Sequence, residues 1–187
     1  MKSTRSFKPA INIKCCGLIM LLMLFISCNK NAMRILTMPA ATQNGSNTMG
    51  AYVNNTLWVP ALSFNGTGID VGASSPILSI TGMAQDPGGQ SKTSLTIYIR
   101  NFNGVRTYVI NGNAYSITGN TAELGSTKSV YEYMTDSLYQ GSVIVTHFDN
   151  NKHIVSGTFQ IKLINDHNPT DSVYISSGRF DITFPLT

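Results

Sequence analysis

The feature that most constrains the fold is a sustained two-residue period between Gly141 and Thr183, GSVIVTHFDNNKHIVSGTFQIKLINDHNPTDSVYISSGRFDIT. Along its central run Val155, Phe159, Ile161 and Leu163 fall on one face and Ser156, Thr158, Gln160 and Lys162 on the other. That alternation is what an extended strand with one buried and one solvated face requires. Ser142–Phe148 and His153–Ile164 therefore read as two strands joined through Asp149-Asn150-Asn151-Lys152. A two-residue turn at Asn150-Asn151 sets Asp149 against Lys152, Phe148 against His153, Thr146 against Val155 and Ser142 against Phe159. Gly157, on the buried face, marks a bulge or a close backbone approach. In the returning strand Phe180, Ile182 and Phe184 alternate with Arg179, Asp181 and Thr183, and Arg179 and Asp181 are expected as neighbours on the exposed face.

Upstream, shorter runs repeat the pattern. Ala51–Val53 and Thr56–Val59 flank Asn54-Asn55, a pair suited to the φ > 0 geometry of a tight hairpin, and Trp58 is placed as a core anchor. Asn65–Gly72 matches neither phosphate-loop spacing and reads as a loop. Pro76–Ala84 and Lys92–Phe102 are strands separated by the turn Gln85–Ser91, and in the second Leu95, Ile97 and Ile99 share a face. Asn103-Gly104 and Asn111-Gly112 bound Val105–Ile110, Ala114–Thr118 follows, and Lys128–Met134 is a further β-rich run. No segment sustains a helical period. The expectation is an all-β domain of roughly nine or ten strands, a single antiparallel meander closed into a lipocalin-like barrel or folded into a sandwich.

The N-terminus has another character. Four of the 13 basic residues, Lys2, Arg5, Lys8 and Lys14, precede the apolar run Cys15–Ile26, and the nine that remain balance the nine acidic residues. The rest of the chain is formally neutral and offers no basic patch for nucleic acid. The apolar run, about 12 residues, has the length of an export-signal core and is too short for a spanning helix. Ser27-Cys28 at its end, followed by Asn29-Lys30-Asn31, resembles a bacterial lipobox, with Phe25 where the motif prefers Leu and Ile26 where it prefers a small residue. The resemblance implies a signal peptide over 1–27, cleavage before Cys28, and a lipid on the Cys28 sulfur. The alternatives are an ordinary cysteine in an uncleaved anchor, or cleavage after Pro39-Ala40-Ala41. Cys15 and Cys16 would leave with the signal, so no disulfide or thiolate metal site remains. Residues 28–48 read as a flexible tether, in which Ile35, Leu36 and Met38 could dock locally, and 49–187 as the domain.

Gly141-Ser142-Val143, His147-Phe148-Asp149, Ile154–Phe159 and Gly178–Asp181, with Val53-Asn54 and Trp58 upstream, resemble the signature of a family of small lipoproteins of unknown function from Bacteroidetes. The resemblance spans about residues 49–185. It implies membrane attachment in the bacterial cell envelope, with the outer membrane as the expected site and the periplasmic or surface side left open, and it assigns no catalytic or ligand-binding residue.

The polar residues carry no recognisable chemistry. His147 and His153 are expected on opposite faces, Asp166, His167, Asn168 and Asp171 in a plain turn, and Asp149 with Lys152 as an exposed ion pair. Glu123, Glu132 and Asp136 are the remaining grouped acids that a glycosidase pair would need. No GxSxG, HExxH or Ser-x-x-Lys pattern is present. The expectation is a non-enzymatic protein without cofactor, catalytic residues or metal. It is read first as a structural or interaction module docking on an envelope protein, next as a barrel binding a small ligand or glycan, and least as a hydrolase. Function is expected at the barrel mouth or in the loops around Asn65, Asp86 and Asn120.

Overall fold

The computed structural model describes residues 37–60, 69–74, 77–85, 91–113, 119–128 and 132–184. Eleven strands form there: β1 (Thr48–Val53), β2 (Thr56–Trp58), β3 (Ile69–Ser74), β4 (Ile77–Gln85), β5 (Lys92–Arg100), β6 (Thr107–Ile110), β7 (Thr121–Ser126), β8 (Tyr133–Met134), β9 (Gly141–Asp149), β10 (Ile154–Asn165) and β11 (Ser172–Thr183). They make one antiparallel sheet in the order β2-β1-β11-β10-β8-β7-β5-β4-β3, with β6 and β9 branching from β10, and the sheet curls into a nearly closed, barrel-like fold. The β2 end of that order reaches β4 and β5 through a side chain. Trp58 of β2 enters the core, donates its indole N–H to Thr93 Oγ1 of β5 at 2.8 Å, and lies over Gly82 of β4, where a Cβ would come within 2.7 Å of the ring. The interior holds Leu78, Ile80, Leu95, Ile97, Ile99, Ile110, Val143, Val155, Ile161, Leu163, Ile175 and Ile182, each at most 1 % exposed. Of these, Leu95, Ile97, Ile99, Val155, Ile161, Leu163 and Ile182 are positions the two-residue period groups on one face of their strands.

Local sequence explains most of the turns, and two readings need correction. Asn54 and Asn55 take φ of 45° and 65° and close the β1–β2 hairpin as expected. The β9–β10 turn holds four residues, because Asp149 pairs with Ile154. Asp149 Oδ1 accepts the N–H groups of Asn151 and Lys152, both at 3.0 Å, and His153 takes φ 55°. An irregularity opposite Ser156/Gly157, where Thr146 of β9 is skipped, then takes back one residue of that shift. The result sets Val155 against Phe148 and Phe159 against Val143, where the two-residue turn would have set them against Thr146 and Ser142. Apolar residues thereby meet apolar residues on the inner face. The second correction concerns Asn65–Gly72: Ile69–Ser74 is a strand paired with β4 from Ile69↔Gly82 to Ser74↔Ile77. It is an edge strand held by backbone bonds, which demand no side-chain alternation. Ala114–Thr118, residues 65–68 and 129–131, and Asp86 lie outside the described residues.

The expected tether over 28–48 is also revised, since its second half is bound to the domain. Residues 37–47 cross the outer face of β11 as a strap. Asn47 Oδ1 accepts the backbone N–H of Thr183 at 2.9 Å and its hydroxyl at 2.8 Å. Pro39 O accepts Arg179 Nη1 at 3.1 Å, and Pro39 covers Gly50, whose Cβ would stand 2.6 Å from the proline ring. Gln43 Nε2 donates to Thr146 Oγ1 of β9 at 3.1 Å. Residues 28–36, with Cys28, lie outside the described residues.

Candidate functional site

The outer face of β9, β10 and β11 carries the most elaborated surface of the described residues. It is shaped by a bulge in β11. Phe159 pairs with Gly178 and Ile161 with Ile175, so Ser176 and Ser177 stand opposite Gln160 alone. Ser177 takes φ 51°, and the strand bends there. On either side two Gly-x-Phe triplets, Gly157-Thr158-Phe159 and Gly178-Arg179-Phe180, lie antiparallel in register, so that each glycine faces the other strand's phenylalanine. A Cβ on Gly178 would collide with the Phe159 ring, 2.6 Å from Cζ, and one on Gly157 would stand 2.7 Å from Phe180 Cζ and closer still to Ile144 O. The two rings stack inside the barrel with centroids 6.4 Å apart. The glycine signature is therefore a packing device, and at Gly157 the expected close backbone approach is in place, against Ile144 O.

Outside the barrel the same bend opens a groove of about 440 Å³, lined by Ala41 of the strap and by Ser142, Ile144, Thr158, Gln160 and Arg179. Hydroxyl, amide and guanidinium groups of Ser142, Thr158, Gln160 and Arg179 share its wall with a larger apolar surface. Ile144 is its exposed apolar member at 44 %, and β6 adds Val109 at 52 % beside it, since Thr107 pairs with Ile144 and Val109 with Ser142. The strand pattern placed these side chains outward but could not show that a bend and a strap enclose them.

Asp181 is the most heavily bonded side chain on this face, and its expected exposure is corrected. It points outward beside Ser156, yet both are 1 % exposed because the strap covers them. Its carboxylate accepts Thr42 Oγ1 at 2.6 Å and Ser156 Oγ at 2.8 Å. It also accepts the N–H groups of Gly45 at 2.9 Å, Ser46 at 3.1 Å and Asn44 at 3.2 Å. Burial alone would push the carboxyl up, but the Thr42 and Ser156 hydroxyls and the Ser46 and Gly45 amides outweigh it and hold it well below the usual carboxylate range. A saturated carboxylate of this kind is a clasp; no lone pair is left in position to take a proton from a substrate.

The other titratable groups are spread over the fold. His153 packs edge-on against Phe184 at 5.3 Å in the turn, and His147 sits on β9 opposite Ser156. Asp149 and Lys152 form the expected ion pair at 3.8 Å. In the loop after β10, Asn165 Oδ1 accepts the N–H groups of His167 and Asn168 at 2.9 and 3.2 Å, and Asn168 Oδ1 accepts the N–H and hydroxyl of Thr170 at 3.2 and 2.8 Å, which is turn chemistry. Among the described residues no group of three or more His, Cys, Asp or Glu stands placed to hold a metal ion. Glu123 is pushed above the usual carboxylate range by burial and then by the charge of Glu132. Asp136 caps a turn through the N–H groups of Leu138 and Tyr139. Asn120 is structural too, accepting Arg100 N–H and donating to Val109 O, both at 2.8 Å.

Asp171 accepts the Tyr133 hydroxyl at 2.7 Å and the Asn165 amide at 3.0 Å. That bond to Asp171, and then burial, holds the Tyr133 phenol above its usual range, while the Tyr133 and Asn165 donors hold Asp171 below its own. Asp171→Asn is expected to bring Tyr133 back towards an ordinary phenol near pH 10. In an alkaline titration followed at 295 nm, one tyrosine should then ionise earlier than in the unaltered protein; superimposable curves would show that the bond contributes nothing.

No protein-family model, curated protein or solved structure matches this chain.

Proposed function

We propose that this is a bacterial envelope lipoprotein, held to the outer membrane by a lipid on Cys28, whose barrel is a non-enzymatic module docking on another envelope protein. The lipobox-like Ser27-Cys28 after a short apolar core supports the anchor. The observation that carries the docking reading is the exposed apolar residues Ile144, in the groove, and Val109, paired with Ser142 on the neighbouring strand, on a sheet face braced by the strap. An apolar centre with a polar, hydrogen-bonding surround is the usual anatomy of a protein contact. The polar wall of the same groove supports the second reading, a glycan or other small polar ligand held by Ser142, Thr158, Gln160 and Arg179.

Two measurements test this. Cys28→Ser should abolish incorporation of labelled fatty acid and release the protein from membranes; retained label would place the lipid elsewhere. A photo-crosslinking residue at Ile144, in cells making the full chain, should give one discrete protein adduct, and one at Tyr98 on the outer face of β5 should not. Identical patterns at the two positions would refute the docking face, and competition of the adduct by soluble oligosaccharide would favour the glycan reading.

A further inference from the structure

A second outward cluster lies at the other end of the sheet from the β9–β10 turn. Lys162 of β10 pairs there with Tyr174 of β11, and its Nζ stands 4.8 Å from the centre of the Tyr139 ring. Tyr174 is 49 % exposed and Leu138 is 83 % exposed. Leu138 does not sit on a loose loop. Asp136 Oδ1 accepts its N–H at 2.7 Å and that of Tyr139 at 2.6 Å, Asp136 N donates to Tyr139 O at 3.0 Å, and Lys162 N donates to Gln140 O at 3.0 Å. The fold thus braces a turn that holds a leucine out in water beside two tyrosines and a lysine.

The strap's first contacts, at Gly50 and Arg179, lie in mid-sheet, and Arg179 is five strand residues from Tyr174. From Thr37 back to Cys28 there are nine residue steps, which span at most about 30 Å. The five strand residues from Arg179 to Tyr174 span roughly 16 Å, well inside that reach. A lipid on Cys28 therefore leaves this end of the barrel able to touch the bilayer surface.

We propose that Leu138, Tyr139, Lys162 and Tyr174 form a membrane-contacting surface that seats the anchored protein on the headgroup layer of its own membrane. The inference rests on the lipidation of Cys28 proposed above. Tyrosine rings suit the interface, apolar on the face and polar at the hydroxyl. A lysine laid along an aromatic ring can extend its ammonium to lipid phosphate while its stem stays in apolar contact. Leu138 reaches the acyl boundary. With a formally neutral domain such a patch binds membranes weakly by itself and gains its occupancy from the tether, which raises its local concentration at the bilayer.

The test uses the full chain in its lipidated form, with the lipid on Cys28 verified by mass. Once the signal is removed the protein has no free thiol, so Leu138→Cys can be labelled uniquely with an environment-sensitive fluorophore. Val105→Cys serves as the control, being 60 % exposed in the loop beside Phe148 at the other end. In vesicles of phosphatidylethanolamine and phosphatidylglycerol carrying a nitroxide high on the acyl chain, the label at position 138 should be quenched several-fold more than the label at 105. Equal quenching on verified lipoprotein overturns this inference and leaves the anchor standing. A protein without lipid on Cys28 overturns both. A crosslinker at 138 that joins protein to protein in place of lipid assigns the surface to a protein partner and overturns it as well.

Discussion

Asp181→Ala is expected to cost about 3 kcal/mol or more, because it leaves two hydroxyls and three backbone amides without their acceptor under a covered surface. For a chain of this size that corresponds to a fall in Tm of roughly 6–12 °C. The damage should be localised before it is global. Residues 37–46 should become sensitive to limited proteolysis at temperatures where the strands are intact, while Asn47 still holds Thr183. An unchanged Tm with an uncut strap would show that the clasp contributes little. Asp181→Asn should fall between, since an amide in that place turns two of its hydrogens towards donors. The pH dependence has a definite sign. The folded carboxyl lies below its unfolded value, so the unfolded chain binds the proton more readily. The stabilisation is complete above the unfolded value of about pH 4, declines as pH falls below it, and is gone once the folded value has been passed. Urea unfolding between pH 7 and pH 3 should therefore lose a component in the unaltered protein that Asp181→Ala never had.

The paired triplets give the second large effect. Gly157→Ala and Gly178→Ala are each expected to destabilise by roughly 1–3 kcal/mol through forced movement of the opposing ring. They differ in what can relieve them. The nearest obstacles to a Cβ on Gly178 are all atoms of the Phe159 ring, whereas on Gly157 the nearest is the backbone oxygen of Ile144, followed by Phe180. Phe159→Leu should therefore recover much of the loss in Gly178→Ala, and Phe180→Leu should recover little in Gly157→Ala. Thermal unfolding of the four single and two double variants measures both couplings, which for touching residues amount to about 0.5–3 kcal/mol. Equal recovery in the two cycles would show that the Ile144 backbone yields more easily than its place in the β9–β10 ladder suggests.

What the sequence disclosed was whatever repeats with a period. The inner positions of β5, β10 and β11, the Asn54-Asn55 hairpin, the core role of Trp58 and the close backbone approach at Gly157 were all readable from alternation and turn chemistry. The register of β9 against β10 was not, because it depends on Asp149 capping a longer turn and on His153 adopting a left-handed backbone, a conformation that asparagine more often signals. β3 was missed because Gly72 and Asp70 interrupt any pattern in a short edge strand. Asp181 and Ser156 show the limit most clearly. Alternation assigned them to the outer face, which is correct, and outer was equated with wet, which is not. The segment that covers them, 37–47, is aperiodic and polar, and it binds through backbone amides that every sequence has. The groove escaped notice for the same reason, since it is made by a bend at Ser177 and by the strap's Ala41, neither of which leaves a spacing to detect.

The clasp joins positions some 135 residues apart in the chain, and β1 completes the same circuit by pairing with β11. An emerging polypeptide can make its hairpins early, but it cannot lock its beginning until its last strand has arrived. Bringing such distant segments together carries a loop-closure cost that slows the final step of folding. On the proposed export route, which would thread the chain N-terminus first, that order of assembly would be useful: residues 37–47 have nothing to fold against until β11 has followed them.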